Sequence, residues 1–210
     1  RILTNDGYGY FENSTSSLMP AVKTWDDWGG VAIALGDVDG DNVNDIVITT
    51  NRSIIDDSSG SPVNTSSTRI FKGSKTGFSD ATATLMPAVA ADGTGDVYKG
   101  VHVAVGDPDG DGLDEIFVLS VNPVYAIDAN SGLEMQISSL RWISRQGALP
   151  LQDVTRKQMP NPDLTGDYYL GHTFALGDID EDGDLDIVIT TYLPSYTTTG
   201  AKPTRVLEFR

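Results

Sequence analysis

Cysteine is missing from the 210-residue chain, so no disulfide can staple it and no thiol can act as a nucleophile. Basic side chains are scarce: 14 Lys and Arg face 30 Asp and Glu, which leaves a formal charge of −16. A surface of that sign repels a phosphate backbone, so no nucleic-acid partner is expected. Histidine occurs twice, at His102 and His172, and neither has a cysteine or a second histidine nearby in sequence to build a zinc site. Both are expected to be structural or channel-facing. No signal peptide and no apolar run long enough to span a bilayer is visible, so direct membrane insertion is not expected. G-x-S-x-G and comparable signatures are also missing. No catalytic residue is assigned, and enzyme activity in this chain alone is not the expectation.

Long helical periodicities are scarce too, whereas Gly, Ser, Thr, Asn and Asp are plentiful. That combination favours short strands joined by turns, an all-β protein. The acidic residues are not spread evenly. Asp37-Val-Asp39-Gly-Asp41 lies inside VAIALGDVDGDNVNDIVITT, Asp107-Pro-Asp109-Gly-Asp111 inside VHVAVGDPDGDGLDEIFVLS, and DIDEDGDLD runs from Asp178 to Asp186. The loop starts are 70 and 71 residues apart. A hydrophobic strand enters each loop and a β-branched strand leaves it.

Other features recur with the same period. Arg1-Ile2-Leu3 is echoed by Thr68-Arg69-Ile70-Phe71 and by the terminal Thr204-Arg205-Val206-Leu207. Leu18-Met19-Pro20, Leu85-Met86-Pro87 and Met159-Pro160 each follow a threonine (Thr15, Thr82, Thr155) placed four residues before the methionine. The third pass reads as Val124 to Ile127 for its opening strand, with 133–150 as an insertion. The chain is therefore expected to be one repeat domain, 1–210, of units at about 1–67, 68–123 and 124–203, with strand 204–210 starting another. About four short antiparallel strands per unit suggest β-propeller-type blades. Three units are too few to close a ring. The expected partners therefore include the rest of a larger chain or further copies of this one. The start at Arg1 is expected of a mature or trimmed piece.

The spacing within the loops suits calcium, a hard cation that takes six to eight oxygens. Carboxylates at offsets 0, 2, 4 and 8 and a backbone carbonyl at offset 6 can converge on one ion. The first set is Asp37, Asp39, Asp41 and Asp45 with the Val43 carbonyl. The second is Asp107, Asp109, Asp111 and Glu115 with the Leu113 carbonyl. The third is Asp178, Asp180, Asp182 and Asp186 with the Asp184 carbonyl. Up to three Ca2+ ions are expected. Strands rather than helices flank the loops, so they are not EF-hands. One such loop could be a plain Asp-Gly turn; three in register, each with an acid at offset 8, argue for a cation. The second departs most, with Pro108 at offset 1 and Glu115 at offset 8, and its affinity is expected to be the least secure.

Trp28, Tyr98 and Tyr169 each lie two residues before a glycine that opens the loop-entering strand. Flat rings beside acids could stack on a glycan or anchor a protein partner, or they could fill gaps between repeats.

The unit ALGDxDGDxxxDIVI, followed by an Arg-hydrophobic strand and NDGxGxFxxxT, resembles the FG-GAP or VCBS repeat and is similar to the calcium-binding blades of the integrin alpha-subunit propeller. The likeness covers nearly the whole chain, 133–150 excepted. It implies seven- or eight-bladed propellers, calcium in the matching loops, and a secreted or cell-surface protein, here expected to be bacterial. Members include adhesion receptors, lectins and ancillary domains of polysaccharide-processing enzymes. The expectation is a calcium-stabilised extracellular module for recognition or adhesion. The alternatives are a structural segment of a larger secreted protein or polysaccharide-processing enzyme, and a catalytic assembly whose residues lie in blades outside this chain.

Overall fold

The computed structural model describes residues 1–22, 29–51, 55–56, 61–62, 66–89, 98–127, 134–159, 171–191 and 204–208. The chain is all-β, and the described residues include three one-turn helices. Strands β1 (Leu3–Asn5) and β2 (Phe11–Asn13) form a two-stranded ladder that leads into helix α1 (Thr15–Leu18). Strands β3 (Ala32–Gly36) and β4 (Asp45–Thr49) follow, then a two-residue ladder of β5 (Ile55–Asp56) and β6 (Ser61–Pro62). Next come β7 (Thr68–Ser74), β8 (Gly77–Asp80) and helix α2 (Thr82–Leu85). The same succession returns as β9 (Gly100–Gly106), β10 (Glu115–Ile127), β11 (Glu134–Ser144), β12 (Gln152–Asp153) and helix α3 (Thr155–Gln158). It returns once more as β13 (Gly171–Gly177), β14 (Asp186–Thr191) and β15 (Thr204–Leu207).

Pairing is antiparallel throughout, and three sheets carry the acidic loops: β3-β4-β7-β8, β9-β10-β11-β12 and β13-β14-β15. Each begins with a hairpin whose connection is the loop. The third strand comes from the following sequence unit, so every sheet straddles a boundary of the 70-residue period. β7, which opens the second unit, pairs with β4, and β8 pairs with β7. Among the described residues the sheets are open and stacked in a row.

Strand alternation explains the stacking. Successive side chains point to opposite faces, so β10 sends Ile116 and Val118 towards the first sheet and Phe117 and Leu119 towards the third. The first group joins Val47, Ile70 and Val103 in one buried cluster. The second joins Leu140, Trp142, Phe174, Ile187 and Ile189 in another. Gly36 lies where an added Cβ would be 2.2 Å from Val105 Cγ1, so the sheets approach closely at that point. The same position in the last sheet, Gly177, has nothing within 4 Å.

The outer face of the first sheet is different. Val103 and Phe174 face the preceding sheet and are 3% and 4% exposed, but the equivalent Ile33 is 62% exposed. Beside it lies a groove of about 540 Å³ lined by Ile2, Met19, Val22, Ile33 and Ile48.

The threonine register is a working part of the fold. Thr15, Thr82 and Thr155 start the three helical turns, and their hydroxyls accept the amides of Ile2, Ile70 and Trp142 at 2.7, 3.1 and 2.8 Å. Asn13, Asp80 and Asp153 each accept the amide of the threonine two residues on. This makes Trp142 the equivalent of Ile70 and corrects the reading of the third unit. The third strand of the second sheet is β11, inside the stretch expected to be an insertion. Val124–Ile127 is not a separate strand but the far end of β10, beyond a register shift between Leu119 and Val124. The boundary expected between 123 and 124 falls within that strand.

Candidate metal centre

The three loops adopt one backbone path. Offsets 3 and 5 have positive φ in each: Gly40 and Asn42, Gly110 and Gly112, Glu181 and Gly183. Glycine and asparagine enter that left-handed region readily, whereas a glutamate there is strained. The path turns backbone amides inward onto the offset-0 carboxylate. Asp37 Oδ1 accepts Gly40 N and Asp41 N at 2.9 and 3.0 Å, and its Oδ2 accepts Asn42 N at 2.6 Å. Asp107 accepts Asp111 N and Gly112 N at 3.1 and 2.8 Å. Asp178 accepts Gly183 N at 3.1 Å. The offset-4 acids Asp41, Asp111 and Asp182 each accept the amide two residues on, from Val43, Leu113 and Asp184, at 2.9–3.0 Å.

Three carboxylates converge in each loop, with ligand atoms within 4.8 Å of one another. They are Asp37, Asp39 and Asp41; Asp107, Asp109 and Glu115; and Asp178, Asp180 and Asp186. These are clusters able to hold a metal ion. The expected fourth carboxylates, Asp45, Asp111 and Asp182, lie outside these groupings.

The offset-8 acids are buried where the loop joins its second strand, and they differ. Asp45 Oδ2 accepts Val38 N at 3.2 Å and its Oδ1 accepts Gly73 N at 2.8 Å. Asp186 Oδ2 accepts Ile179 N at 2.9 Å. In the second loop the offset-1 residue is Pro108, which has no N–H to give. Glu115 Oε1 accepts the Ser144 hydroxyl at 3.1 Å, while its Oε2 is buried without a hydrogen-bond partner. An unpaired buried acceptor is costly, and a cation in the cluster would relieve it.

The electrostatics follow the same lines. Burial pushes the Glu115 carboxyl up to about 8, helped by Asp109 and opposed by the Ser144 bond. Burial likewise raises Asp45 to about 6, against the Gly73 amide and with the Asp39 charge beside it. Asp109 and Asp180 are raised by burial and then by their Asp111 and Asp182 neighbours. Asp41 is lowered, because Lys72 donates to it.

Neighbouring loops touch. Asp114, at offset 7 of the second, accepts the Asp37 amide at 2.7 Å, and its own amide donates to the Asp37 carbonyl at 3.3 Å. Asp184 Oδ1 of the third lies against Gly110 of the second. Lys72 also enters the first loop: its ammonium bonds Asp39 and lies 2.7 Å from Asp41 Oδ2. Arg145 Nη1 donates to the Asp39 carbonyl at 3.0 Å. Sequence reading had not singled out Lys72, Asp114, Ser144 or Arg145. Only strand register places them, since Lys72 and Ser144 fall beside offset 8 once β7 and β11 are paired.

Of the aromatic candidates, Tyr98 is 6% exposed and sits in the first core cluster. It lies there beside Val47 and Ile70 of the first sheet and Val103 and Val118 of the second. Its φ is +50°, and its carbonyl accepts the Thr68 hydroxyl at 2.7 Å. Trp28 and Tyr169 lie outside the described residues. His102 Nδ1 is 3.1 Å from Thr173 Oγ1, and its ring is 4.7 Å from that of Phe174. No described helix is long and apolar enough to cross a membrane. Set against family models and curated proteins, the chain matches none.

Proposed function

We propose that the chain is a calcium-stabilised module built from propeller-type blades of the FG-GAP or VCBS kind, acting outside the cell as a platform for recognition. The observation that carries this reading is the threefold recurrence of one loop path that gathers three carboxylates. Glu115 strengthens it: a buried carboxylate oxygen without a partner, among two further acids, suits a hard divalent cation. Calcium fits better than magnesium, which gives up its waters reluctantly.

The open face at Ile33 and Leu35 supports a partner that continues the stack, either the rest of a larger chain or another copy. Their counterparts in the later sheets are covered by the preceding sheet. The recognition role itself is the protein- or glycan-binding one expected of such blades. The burial of Tyr98 favours the second reading, a structural segment of a larger secreted protein or polysaccharide-processing enzyme.

Thermal melts in EDTA and in about 5 mM CaCl2 test the first proposal. With dissociation constants near 10⁻⁴ M, as extracellular modules show, each filled loop adds about 2 kcal/mol. Identical midpoints in the two buffers would sink the calcium reading. Glycan-array hits lost on Trp28→Ala would support recognition; no hits from the folded, calcium-loaded protein would favour the structural segment.

A further inference from the structure

The three loops share a backbone path but not a charge environment. The difference is set at two register positions. The first is the residue beside offset 8 on the third strand. Phe71, Ile143 and Leu207 pair with Ile46, Ile116 and Ile187, so the next residues, Lys72, Ser144 and Glu208, occupy equivalent places. In the first loop that place holds an ammonium already bonded to Asp39 and Asp41. In the second it holds a neutral hydroxyl bonded to Glu115, and in the third a further carboxylate.

The other position is offset 1. Val38 and Ile179 donate their amides to Asp45 and Asp186, but Pro108 cannot donate, and Glu115 Oε2 is left buried and unpartnered; in the first loop Asp39 Oδ1 is also without a hydrogen-bond partner, but its other oxygen is bonded to the Lys72 ammonium. The clusters reflect this. In the second and third loops the offset-8 acid joins offsets 0 and 2, whereas in the first it is replaced by Asp41 on the Lys72 side. Arg145 places a second cation against the first loop, on the Asp39 carbonyl.

We infer that the loops take up a divalent cation in order, 107–115 before 37–45. Lys72 acts as the first loop's own counter-ion, and the Pro108–Glu115 pair leaves the second loop a buried oxygen without a hydrogen-bond partner for an added cation to take up. The inference rests on the calcium reading. It makes Lys72 and Pro108 the residues that set affinity, although neither is a ligand. A metal entering the first loop must displace the ammonium or share the carboxylates with it, so the loop serves as a permanent salt-bridged corner at calcium levels that fill the second.

The test is a titration of the chelator-stripped full chain with CaCl2, followed by amide resonances. Gly40, Gly112 and Gly183 report the three loops separately. The Gly112 resonance should move at about tenfold lower free calcium than Gly40, given the repulsion of a unit charge within a few ångströms. Lys72→Met should lower the Gly40 midpoint about tenfold and leave that of Gly112 in place. Lys72→Gln repeats the test with a polar side chain, and resonances away from the loops report folding in both. Independently, Pro108→Ala restores an amide at offset 1 and should raise the Gly112 midpoint several-fold. Gly40 and Gly112 moving together in the wild type would overturn the order, as would unchanged midpoints in these variants. The calcium reading would survive either result. If no loop resonance moves up to about 10 mM calcium, beyond the range of extracellular modules, both fall.

Discussion

Replacing Glu115 by glutamine should change stability with opposite sign in chelator and in calcium. In the metal-free chain the Glu115 carboxyl is raised from 4.5 to about 8, first by burial and then by the Asp109 charge. The folded state therefore holds a proton that the unfolded chain has released above about pH 4.5. The stabilising contribution is complete below that value and is lost as pH rises through about 8. A tenfold change in proton affinity is worth about 1.36 kcal/mol, so the ceiling on the loss is about 5 kcal/mol, and solvent screening at the loop mouth lowers it. Glutamine keeps the shape of the side chain and a group that can bond Ser144, and it carries no charge at any pH. In EDTA at pH 8, Glu115→Gln should melt higher than the wild type. A gain of only 2 kcal/mol corresponds to about 4–8 °C for a chain of this size. At pH 5 the two should nearly coincide. In calcium the order should invert, because the variant has lost a charged ligand. Calorimetric melts of both proteins at pH 5 and 8, with EDTA and with CaCl2, supply the comparison. A variant that is less stable than wild type by the same margin in all four buffers would refute the reasoning and make Glu115 an ordinary buried hydrogen-bonding residue.

The repeat makes further expectations comparative. Gly36→Ala should destabilise by about 1–3 kcal/mol, since its Cβ would meet the stiff Val105 and the Asp114 carboxylate at 2.2 and 2.6 Å. Gly177→Ala, with nothing within 4 Å, should be near neutral in the same denaturant titration. Thr155→Val keeps the volume but strips the acceptor from the buried Trp142 amide, and should cost about 1–3 kcal/mol by urea melt. Glu181→Gly should stabilise the apo protein by about 1 kcal/mol, because Glu181 has φ +63° where the first two loops carry glycine. Asp178→Asn should weaken calcium uptake by the third loop far more than Asp184→Asn; equal losses in calorimetric titration would mean that loop is read wrongly.

What the sequence disclosed follows from what repeats locally. The acidic loops and their flanking strands could be read because the whole signal fits in about twenty consecutive residues. The threonine four residues before each methionine was legible as a register mark, although its bond to the strand amide was not. The role of 134–144 was hidden because its hydrophobic order no longer resembles that of 68–74, and only pairing with β10 identifies it as the third strand. Lys72 was unreadable for a related reason. Its importance depends on a partner 33 residues away, reached across two strand registers. The contact between Asp114 and the Asp37 amide spans a whole repeat and left no local trace.

The offset between sequence period and sheet has a consequence at the ribosome. When β4 leaves the exit tunnel, the strand that must pair with its outer edge still lies inside it. Thr49 meets Thr68 only 19 residues later, about 1–4 s at ordinary synthesis rates. During that interval the nascent chain displays a bare strand edge of the Ile-Val-Ile kind next to a cluster of uncompensated acids. The same pause recurs at β10 and β14. Each loop can reach its finished form only after part of the next repeat has been made, so a chain arrested between a loop and the third strand of its sheet ends on an incomplete sheet.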